Sequence, residues 1–278
     1  MFPCVQIDQV AISSYQVFLM LAFITGTCLM LHLLPDNRKH YNLRLTSIVL
    51  IPVLLFSLIG AKMMFALLDG GDLWKAIFFW QAGYYHHGGL IGGILGYVLY
   101  LRFTGNNILD GLDWIAPFGA LGESITRIGC FLGGCCWGKE SQTLLAVVYP
   151  AESHAWVHHI ITGRLFPSAS CSLPVHPVPL YTSVVMLFLY VFLRRLQQRR
   201  KFPGDVALHY LFWHSLWRII LECFRDDIPR LENGWTSTQM LAASIVMISA
   251  VFLCFQYTKA FRNIFLNYGG RQPQEDPG

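Results

Sequence analysis

The sequence predicts an all-α, polytopic membrane protein with seven transmembrane helices. Only 13% of its 278 residues are charged, whereas soluble domains have about 25%, and 54% are hydrophobic. The apolar residues occur in blocks of about 20, the length at which a helix crosses about 30 Å of hydrocarbon. Composition and block length together exclude a water-soluble globular protein.

The apolar blocks are expected to form one membrane-embedded domain over residues 1–278. The segment before the first long helix lacks the basic region of a cleaved signal peptide, so we expect this helix to be retained. The last residues, about 268–278, are polar and rich in Gly and Pro and are expected to be flexible. The predicted spans cover about 15–34, 47–68, 88–103, 111–133, 178–193, 206–224 and 236–257.

Lysine and arginine residues in the connections predict the orientation, because basic residues near the ends of spans stay on the cytoplasmic side. Twelve of them lie in the connections on the side of the C-terminus, and five lie in the connections on the other side. We therefore expect the N-terminus outside and the C-terminus inside. The long segment 139–175, between the fourth and fifth spans, is then an external cap.

Three basic residues, Lys62, Arg127 and Arg218, fall inside predicted spans. An ionisable group there costs about 2.5–3.5 kcal/mol on insertion scales, so it usually faces the bundle interior and marks a working site. At about 1.5 Å per residue, both arginines lie in the outer half of the membrane. The third span begins at that face, which brings His86 and His87 to the same level. Lys62 can join this cavity or extend toward the headgroups.

The sixth span carries a polar stripe on one helix face. His214, Arg218, Glu222 and Arg225 follow each other at positions i, i+4, i+8 and i+11. Glu222 can pair with either arginine and hold its guanidinium group in place. An interhelical salt-bridge network explains the same stripe. The arginines also match phosphate oxygens, and the surrounding lipids carry phosphate headgroups.

Small and soft residues form two further patterns. Gly88, Gly92 and Gly96 repeat every fourth residue, which indicates close helix packing, although Gly88 directly after His87 also leaves room for a ligand. The eight cysteines follow no disulfide framework, and we expect most of them to be small core residues.

Two other functional classes compete with a phosphate site. The first is a metal or quinone-linked redox site made of Cys130, Cys135 and Cys136 with His86 or His87, but C-x4-C-C is not a standard zinc spacing. The second is a transporter that guides an anion along the arginines. Transporters often contain two related halves, and the sequence has no such repeat.

Four motifs then identify a family. HHGGLIGG, DWIAPFGALGESITRIGCFLGGCCWG, HPVPLY and WRIILECFRDD occur in this order, and the sequence resembles phosphatidylglycerol:prolipoprotein diacylglyceryl transferase over about residues 15–239. The resemblance implies a seven-span bundle with an external N-terminus. It also implies transfer of the diacylglyceryl group of phosphatidylglycerol to the lipobox cysteine of a preprolipoprotein, with release of glycerol phosphate.

The resemblance assigns roles to residues of this chain. His87 is the expected base for the attacking thiol, and Arg127 and Arg218 are expected to stabilise the phosphate leaving group. Glu222 is expected to orient Arg218, and Tyr15 to hydrogen-bond to the headgroup. The remaining substrate-binding positions are Gly88, Gly138, Arg225, His176 and Tyr181. The mechanism needs no metal and no soluble cofactor.

The expected partners are phosphatidylglycerol, the preprolipoprotein signal peptide and membrane lipid, without nucleic acid. The expected location is the bacterial plasma membrane, with the active site toward the outer leaflet. The chain also departs from the family pattern, because Cys130, Gly133 and Cys135 replace two amides and a carboxylate of the signature. Lys62 stands where arginine is usual, and His214 where tyrosine is usual. A family branch that acts on another acceptor is therefore the alternative.

Overall fold

The computed structural model describes residues 4–7, 10–33, 43–68, 86–226, 231 and 234–269. Within these residues the chain forms one short hairpin and eight helices. The strands are β1 (Cys4–Ile7) and β2 (Val10–Ser13), and the helices are α1 (Ser14–His32), α2 (Leu43–Leu68), α3 (His86–Phe103), α4 (Ile108–Gly133), α5 (His154–Ile161), α6 (Val178–Gln198), α7 (Asp205–Glu222) and α8 (Ser237–Gly269).

Each predicted span coincides with a helix of the structure. Among the described residues, three segments are long and apolar enough to cross a membrane, namely Ser14–His32, Val178–Gln198 and Ser237–Lys259, and Ile51–Leu67 and Ile91–Phe103 are shorter apolar helices. Outward-facing side chains such as Met247, Ile248 and Phe255 are apolar and exposed, as expected of a lipid-facing surface. These findings agree with a helical membrane protein, whereas the count of seven spans and the orientation stay predictions.

The sequence analysis did not predict the N-terminal hairpin. Its antiparallel register pairs Cys4 with Ser13 and Ile7 with Val10. Helix α1 follows without a break, and its first turn is capped reciprocally. The Gln16 N–H donates to Ser13 Oγ at 3.3 Å, and the Ser13 N–H donates to Gln16 Oε1 at 3.1 Å. A predicted all-α chain therefore begins with a short β element.

The chain divides into two compact units, Leu29–Gly111 and Met1–Cys28 with Leu112–Gly278. In the first unit, α2 and α3 pack through glycines. A Cβ atom on Gly60 would lie 2.2 Å from the Gly88 carbonyl oxygen, and one on Gly92 would lie 2.0 Å from the Phe56 carbonyl oxygen. The prediction that Gly88, Gly92 and Gly96 serve helix packing fits these distances.

In the second unit, an apolar core joins α4, α6 and α7. Its buried members are Ala116, Ala120, Met186, Leu189, Leu193 and Val206. Asp113 of α4 supports the start of α7, because its carboxylate accepts hydrogen bonds from the Gly204 and Ala207 N–H groups at 2.8 and 2.9 Å. An acidic side chain at a helix N-terminus is favoured by the helix dipole. This contact fixes α7 against α4 at one end.

The predicted cap, residues 139–175, is folded and contains α5. A small core inside the cap consists of Tyr149, Ala155 and Val175, together with Trp137 just before the cap. His159 is fully buried, its Nδ1 atom accepts a hydrogen bond from the Leu173 N–H at 3.3 Å, and burial lowers its pKa. The predicted tail, 268–278, lies outside the described residues except for the last two residues of α8.

The glycine contact between α2 and α3 can be tested with two neighbouring glycines. We expect Gly92→Ala to destabilise the protein by about 1–3 kcal/mol, because the new methyl group overlaps the Phe56 carbonyl oxygen. Gly93→Ala is the control, since its Cβ would lie 3.7 Å from Ser57 Cβ and alanine favours a helix by up to about 1 kcal/mol. Thermal unfolding in detergent measures both, and equal midpoints would contradict the proposed packing.

Candidate active site

Arg127 is held by a carboxylate on its own helix. Glu123 precedes it by one turn of α4, and Glu123 Oε1 accepts hydrogen bonds from Arg127 Nη2 at 2.8 Å and Nε at 3.2 Å. About a fifth of each side chain is exposed. Because two nitrogens of the guanidinium contact one oxygen, its orientation is fixed. This contact uses two of the five N–H groups of the guanidinium.

The same carboxylate also holds His214 of α7. His214 Nε2 lies 2.8 Å from Glu123 Oε2, and the ring of Tyr210 stacks on the imidazole at 5.4 Å. Glu123 therefore joins α4 to α7. The sequence analysis did not select Glu123 as a site residue. Its position four residues before an intramembrane arginine is the signal that identifies it.

Arg218 also forms an ion pair with a carboxylate on its own helix, as the stripe on the sixth span predicted. Its Nη2 atom lies 3.3 Å from Oε2 of Glu222, which is fully buried. The hydroxyl groups of Thr236 and Thr238 donate to Glu222 Oε1 at 2.9 and 2.8 Å. These threonines, which the sequence analysis missed, stand at the start of α8 and fix the carboxylate from the other side.

Gly138 and Arg225 lie side by side where α7 ends. Their backbones form an antiparallel bridge, and the Gly138 N–H donates to the His176 carbonyl at 3.0 Å. A Cβ atom on Gly138 would lie 2.7 Å from His176 Cβ and 2.8 Å from the Phe224 carbonyl oxygen. Only glycine permits this approach, which explains why the signature ends in glycine here.

His176 and Tyr181 form a pair beside this bridge. His176 Nδ1 and Tyr181 Oη are 3.2 Å apart, and the imidazole packs edge-on against Phe224 at 5.5 Å. The backbone of His176 is already bound to Gly138, so the pair is fixed relative to Arg225. The structure thus brings the predicted HPVPLY residues to the end of the sixth predicted span.

The charges of these groups act on one another. Arg218 interacts electrostatically with four charged residues of the site, namely Arg225, Glu222, Arg127 and Glu123. The Tyr15 hydroxyl group of α1 interacts with the charge of Arg127. The three arginines exceed the two carboxylates by one positive charge. In a poorly solvated site such an excess favours an anion strongly. The arrangement is suited to binding one phosphate group.

Three cysteines of the signature stand next to Arg127. Cys130, Cys135 and Cys136 place their Sγ atoms within 4.8 Å of one another, and Arg127 Nη1 lies 3.9 Å from Cys136 Sγ. Hydrogen bonds from the Cys130 and Cys135 thiols, with the charges of Arg225 and Arg127, hold the pKa of the Cys136 thiol well below its usual range. Cys130 is buried and the other two are partly buried, so these cysteines form a cluster rather than scattered core residues.

The remaining predicted residues belong to the other compact unit. His87 lies in the first turn of α3, and the backbone of Gly88 packs against Gly60. Lys62 is buried, with 2% of its surface exposed, so it does not extend outward. The side chain of His87 is outside the described residues, and its role stays a prediction.

Comparison with known proteins decides the family. A family model described as prolipoprotein diacylglyceryl transferase matches residues 3–255, which is most of the chain. The chain belongs to the prolipoprotein diacylglyceryl transferase family. The resemblance found in the motifs is thereby confirmed, and so is the prediction of a transferase.

Named members of this transferase family match over most of their own length. A phosphatidylglycerol–prolipoprotein diacylglyceryl transferase 2 of Clostridium perfringens is 26% identical over 250 residues, which cover 87% of this chain and 90% of the relative. A phosphatidylglycerol–prolipoprotein diacylglyceryl transferase of Parasynechococcus marenigrum is 30% identical over 237 residues, or 79% and 81% of the two chains. The similarity therefore includes the cap and the helices of the site.

The contact between Glu123, Arg127 and His214 predicts a difference between two glutamates of this transferase. We expect Glu123→Gln to destabilise the protein by about 1–3 kcal/mol, because it leaves a half-buried guanidinium without its anionic partner. Glu140→Gln is the control, since Glu140 pairs with Arg164 while 47% of its side chain is exposed, and such pairs contribute about 0–1 kcal/mol. Thermal unfolding in detergent measures both, and a larger loss for Glu140→Gln would contradict this account.

Proposed function

We propose that this chain transfers the diacylglyceryl group of phosphatidylglycerol to the lipobox cysteine thiol of preprolipoproteins, the first step of lipoprotein maturation. The observation that carries the proposal is the arginine cluster, in which Arg127 and Arg218 are each oriented by a carboxylate and keep N–H groups for a ligand. Its excess positive charge lies on helices of a membrane protein, where phosphate-headed lipids are the common anions.

The reaction explains why two arginines are needed. The thiolate sulfur attacks the glyceryl carbon that carries the phosphate, a carbon–sulfur bond forms, and the carbon–oxygen bond to phosphate breaks. Glycerol phosphate leaves with the electron pair of that bond, so its phosphate group gains a negative charge. Guanidinium groups held in advance near the leaving oxygen stabilise the charge as it develops. Arg127 and Arg218 are proposed to do so.

Glu123 and Glu222 are positioning residues in this scheme. Each fixes one guanidinium, and Glu222 is itself fixed by Thr236 and Thr238. Tyr15 is proposed to hydrogen-bond to the glycerol headgroup. Gly138, Arg225, His176 and Tyr181 are proposed to form the neighbouring wall of the substrate site.

The thiol must lose its proton before it attacks, because the thiolate is the nucleophile. His87 is proposed as the base on the strength of its place in the HHGGLIGG motif. His214 supplies a second imidazole, and Glu123 orients it at 2.8 Å. A carboxylate that accepts one imidazole N–H leaves the other ring nitrogen as a proton acceptor.

The proposed topology has seven spans in one membrane domain, with the N-terminus outside and the C-terminus inside. The chain is then a multi-pass protein of the bacterial plasma membrane with its site toward the outer leaflet. In this orientation the folded cap covers the outer face, where a preprolipoprotein arrives. The distribution of basic residues supports this orientation.

Labelling of cysteines in spheroplasts tests the orientation. Cys171 lies in the cap and is exposed, so in a chain whose other cysteines are replaced a membrane-impermeant maleimide is expected to label it from outside, and Cys171→Ser is expected to remove that label. Adding Arg199→Cys, at an exposed position between α6 and α7, is expected to restore labelling only after lysis. Labelling of Arg199→Cys in intact spheroplasts would reverse the topology.

A reconstituted transfer assay tests the arginines. Purified protein receives phosphatidylglycerol and a lipobox peptide, and the peptide mass and the released glycerol phosphate are followed. We expect Arg127→Ala and Arg218→Ala to lower the rate about 100-fold or more, and Arg127→Lys to lower it less because the charge remains. Arg195→Ala, an exposed arginine of α6, is the control and is expected to keep the full rate.

Two outcomes of this assay contradict the proposal in different ways. Full transfer by both Arg127→Ala and Arg218→Ala would remove the phosphate role of the arginines. Bound phosphatidylglycerol without transfer to the peptide would show a family member that acts on another acceptor or handles lipid without this reaction.

A further inference from the structure

The cysteine cluster owes its shape to a tight turn after α4. The Cys135 N–H donates to the Cys130 carbonyl at 3.1 Å, Gly134 has a φ of +71°, and Cys136 has a φ of +58°. This path turns the chain back on the last helical turn. The turn thereby brings the Sγ atoms of Cys130 and of the adjacent pair Cys135 and Cys136 within 4.8 Å of one another.

Three sulfur atoms at this separation are close to the geometry of a three-coordinate metal. With metal–sulfur bonds of about 2.3 Å, the sulfurs of a planar three-thiolate site are about 4 Å apart. The Sγ atoms of Cys130, Cys135 and Cys136, all within 4.8 Å of one another, are close to this separation. Thiolates select soft ions such as Cu(I), whereas structural zinc needs a fourth ligand. Among the described residues, the cluster contains no fourth His, Cys, Asp or Glu.

The charges around the cluster favour a thiolate complex. Three thiolates and one monovalent ion carry a net charge of −2, which a poorly solvated site tolerates only beside positive groups. Arg127 Nη1 lies 3.9 Å from Cys136 Sγ, and the charge of Arg225 also acts on Cys136. Two guanidinium groups therefore offset the charge of the complex.

A buried hydroxyl group adds a second observation. Tyr149 is fully buried, and its Oη atom has no hydrogen-bond partner in the part of the chain that the structure describes. The three cysteines act electrostatically on this tyrosine, so it lies close to them. A thiolate or a metal-bound group in the cluster would supply the missing partner.

We propose that Cys130, Cys135 and Cys136 form a three-thiolate binding site for a soft monovalent metal ion of the Cu(I) class. This proposal is independent of the proposed transfer reaction, because the reaction scheme assigns no role to any of the three cysteines. It lies next to Arg127, so the ion is expected to occupy the edge of the phosphate site rather than its centre.

The test is an anaerobic titration of the full-length, chelator-washed protein in detergent with Cu(I), against a competing Cu(I) chelator. We expect one tightly bound ion per chain, sulfur-to-copper absorption in the ultraviolet, and three sulfur neighbours in the X-ray absorption spectrum. Cys130→Ser, Cys135→Ser and Cys136→Ser are each expected to weaken binding about 100-fold or more, since loss of even a supporting residue costs about 10–100-fold. Cys171→Ser, at an exposed cysteine, is expected to bind normally.

A measurement on the unsubstituted protein covers the case in which a serine variant does not fold. Bound Cu(I) is expected to protect three thiols from a disulfide reagent under native conditions, and removal of the ion is expected to restore their reactivity. No tight binding in the titration would overturn the proposal. Unchanged affinity in the triple serine variant would also overturn it.

Discussion

The buried contact of Glu123 with Arg127 and His214 is the interaction on which the candidate site depends. A single carboxylate binds a guanidinium through one oxygen and an imidazole through the other. Each of these groups is costly inside a membrane protein when it is alone. Together they hold α4 and α7 in register, so the same contact that makes the arginine tolerable also determines the direction in which it points. Stability and the orientation of Arg127 therefore have one physical cause here.

The rest of the site repeats this solution with different partners. Arg218 forms an ion pair with Glu222, and Thr236 and Thr238 at the start of α8 donate to Glu222, so the carboxylate beside the second guanidinium is held from two helices. Beyond it, the backbone bridge of Gly138 and Arg225 connects the end of α7 to the start of the cap. This bridge forms only because Gly138 has no side chain. These contacts order Arg127 and Arg218 before a lipid binds. Such preorganisation lowers the free-energy cost of binding.

Features that depend on residues close together in the sequence could be predicted, whereas contacts between residues far apart in the sequence could not. The helices follow from blocks of apolar residues, and Arg127 and Arg218 follow from the cost of charge in such blocks, because both signals are local. The spacing of Glu123 to Arg127 is a local signal for their pairing, but the second partner of Glu123, His214, lies 91 residues away, and this contact appears only when α4 meets α7. Thr236 and Thr238 were not predicted either, because their contact with Glu222 forms only when α8 packs against α7. The cysteine cluster depends on two residues with positive φ after α4, a local backbone feature that the spacing C-x4-C-C does not reveal.

The three cysteines decide the chemistry beside Arg127. The resemblance gives an amide at Cys130 and a carboxylate at Cys135, and in this chain the turn after α4 places Cys136 Sγ 3.9 Å from Arg127 Nη1. The guanidinium thus lies between the carboxylate of Glu123 and a thiol at 3.9 Å whose charge depends on its protonation or ligation. Two unit charges at about 4 Å interact strongly where water is scarce. A negative cluster would therefore draw part of the attraction of Arg127 away from a phosphate headgroup, whereas neutral thiols would leave it available. We therefore expect the state of the three sulfurs and the affinity for an anionic lipid to be coupled through this one guanidinium.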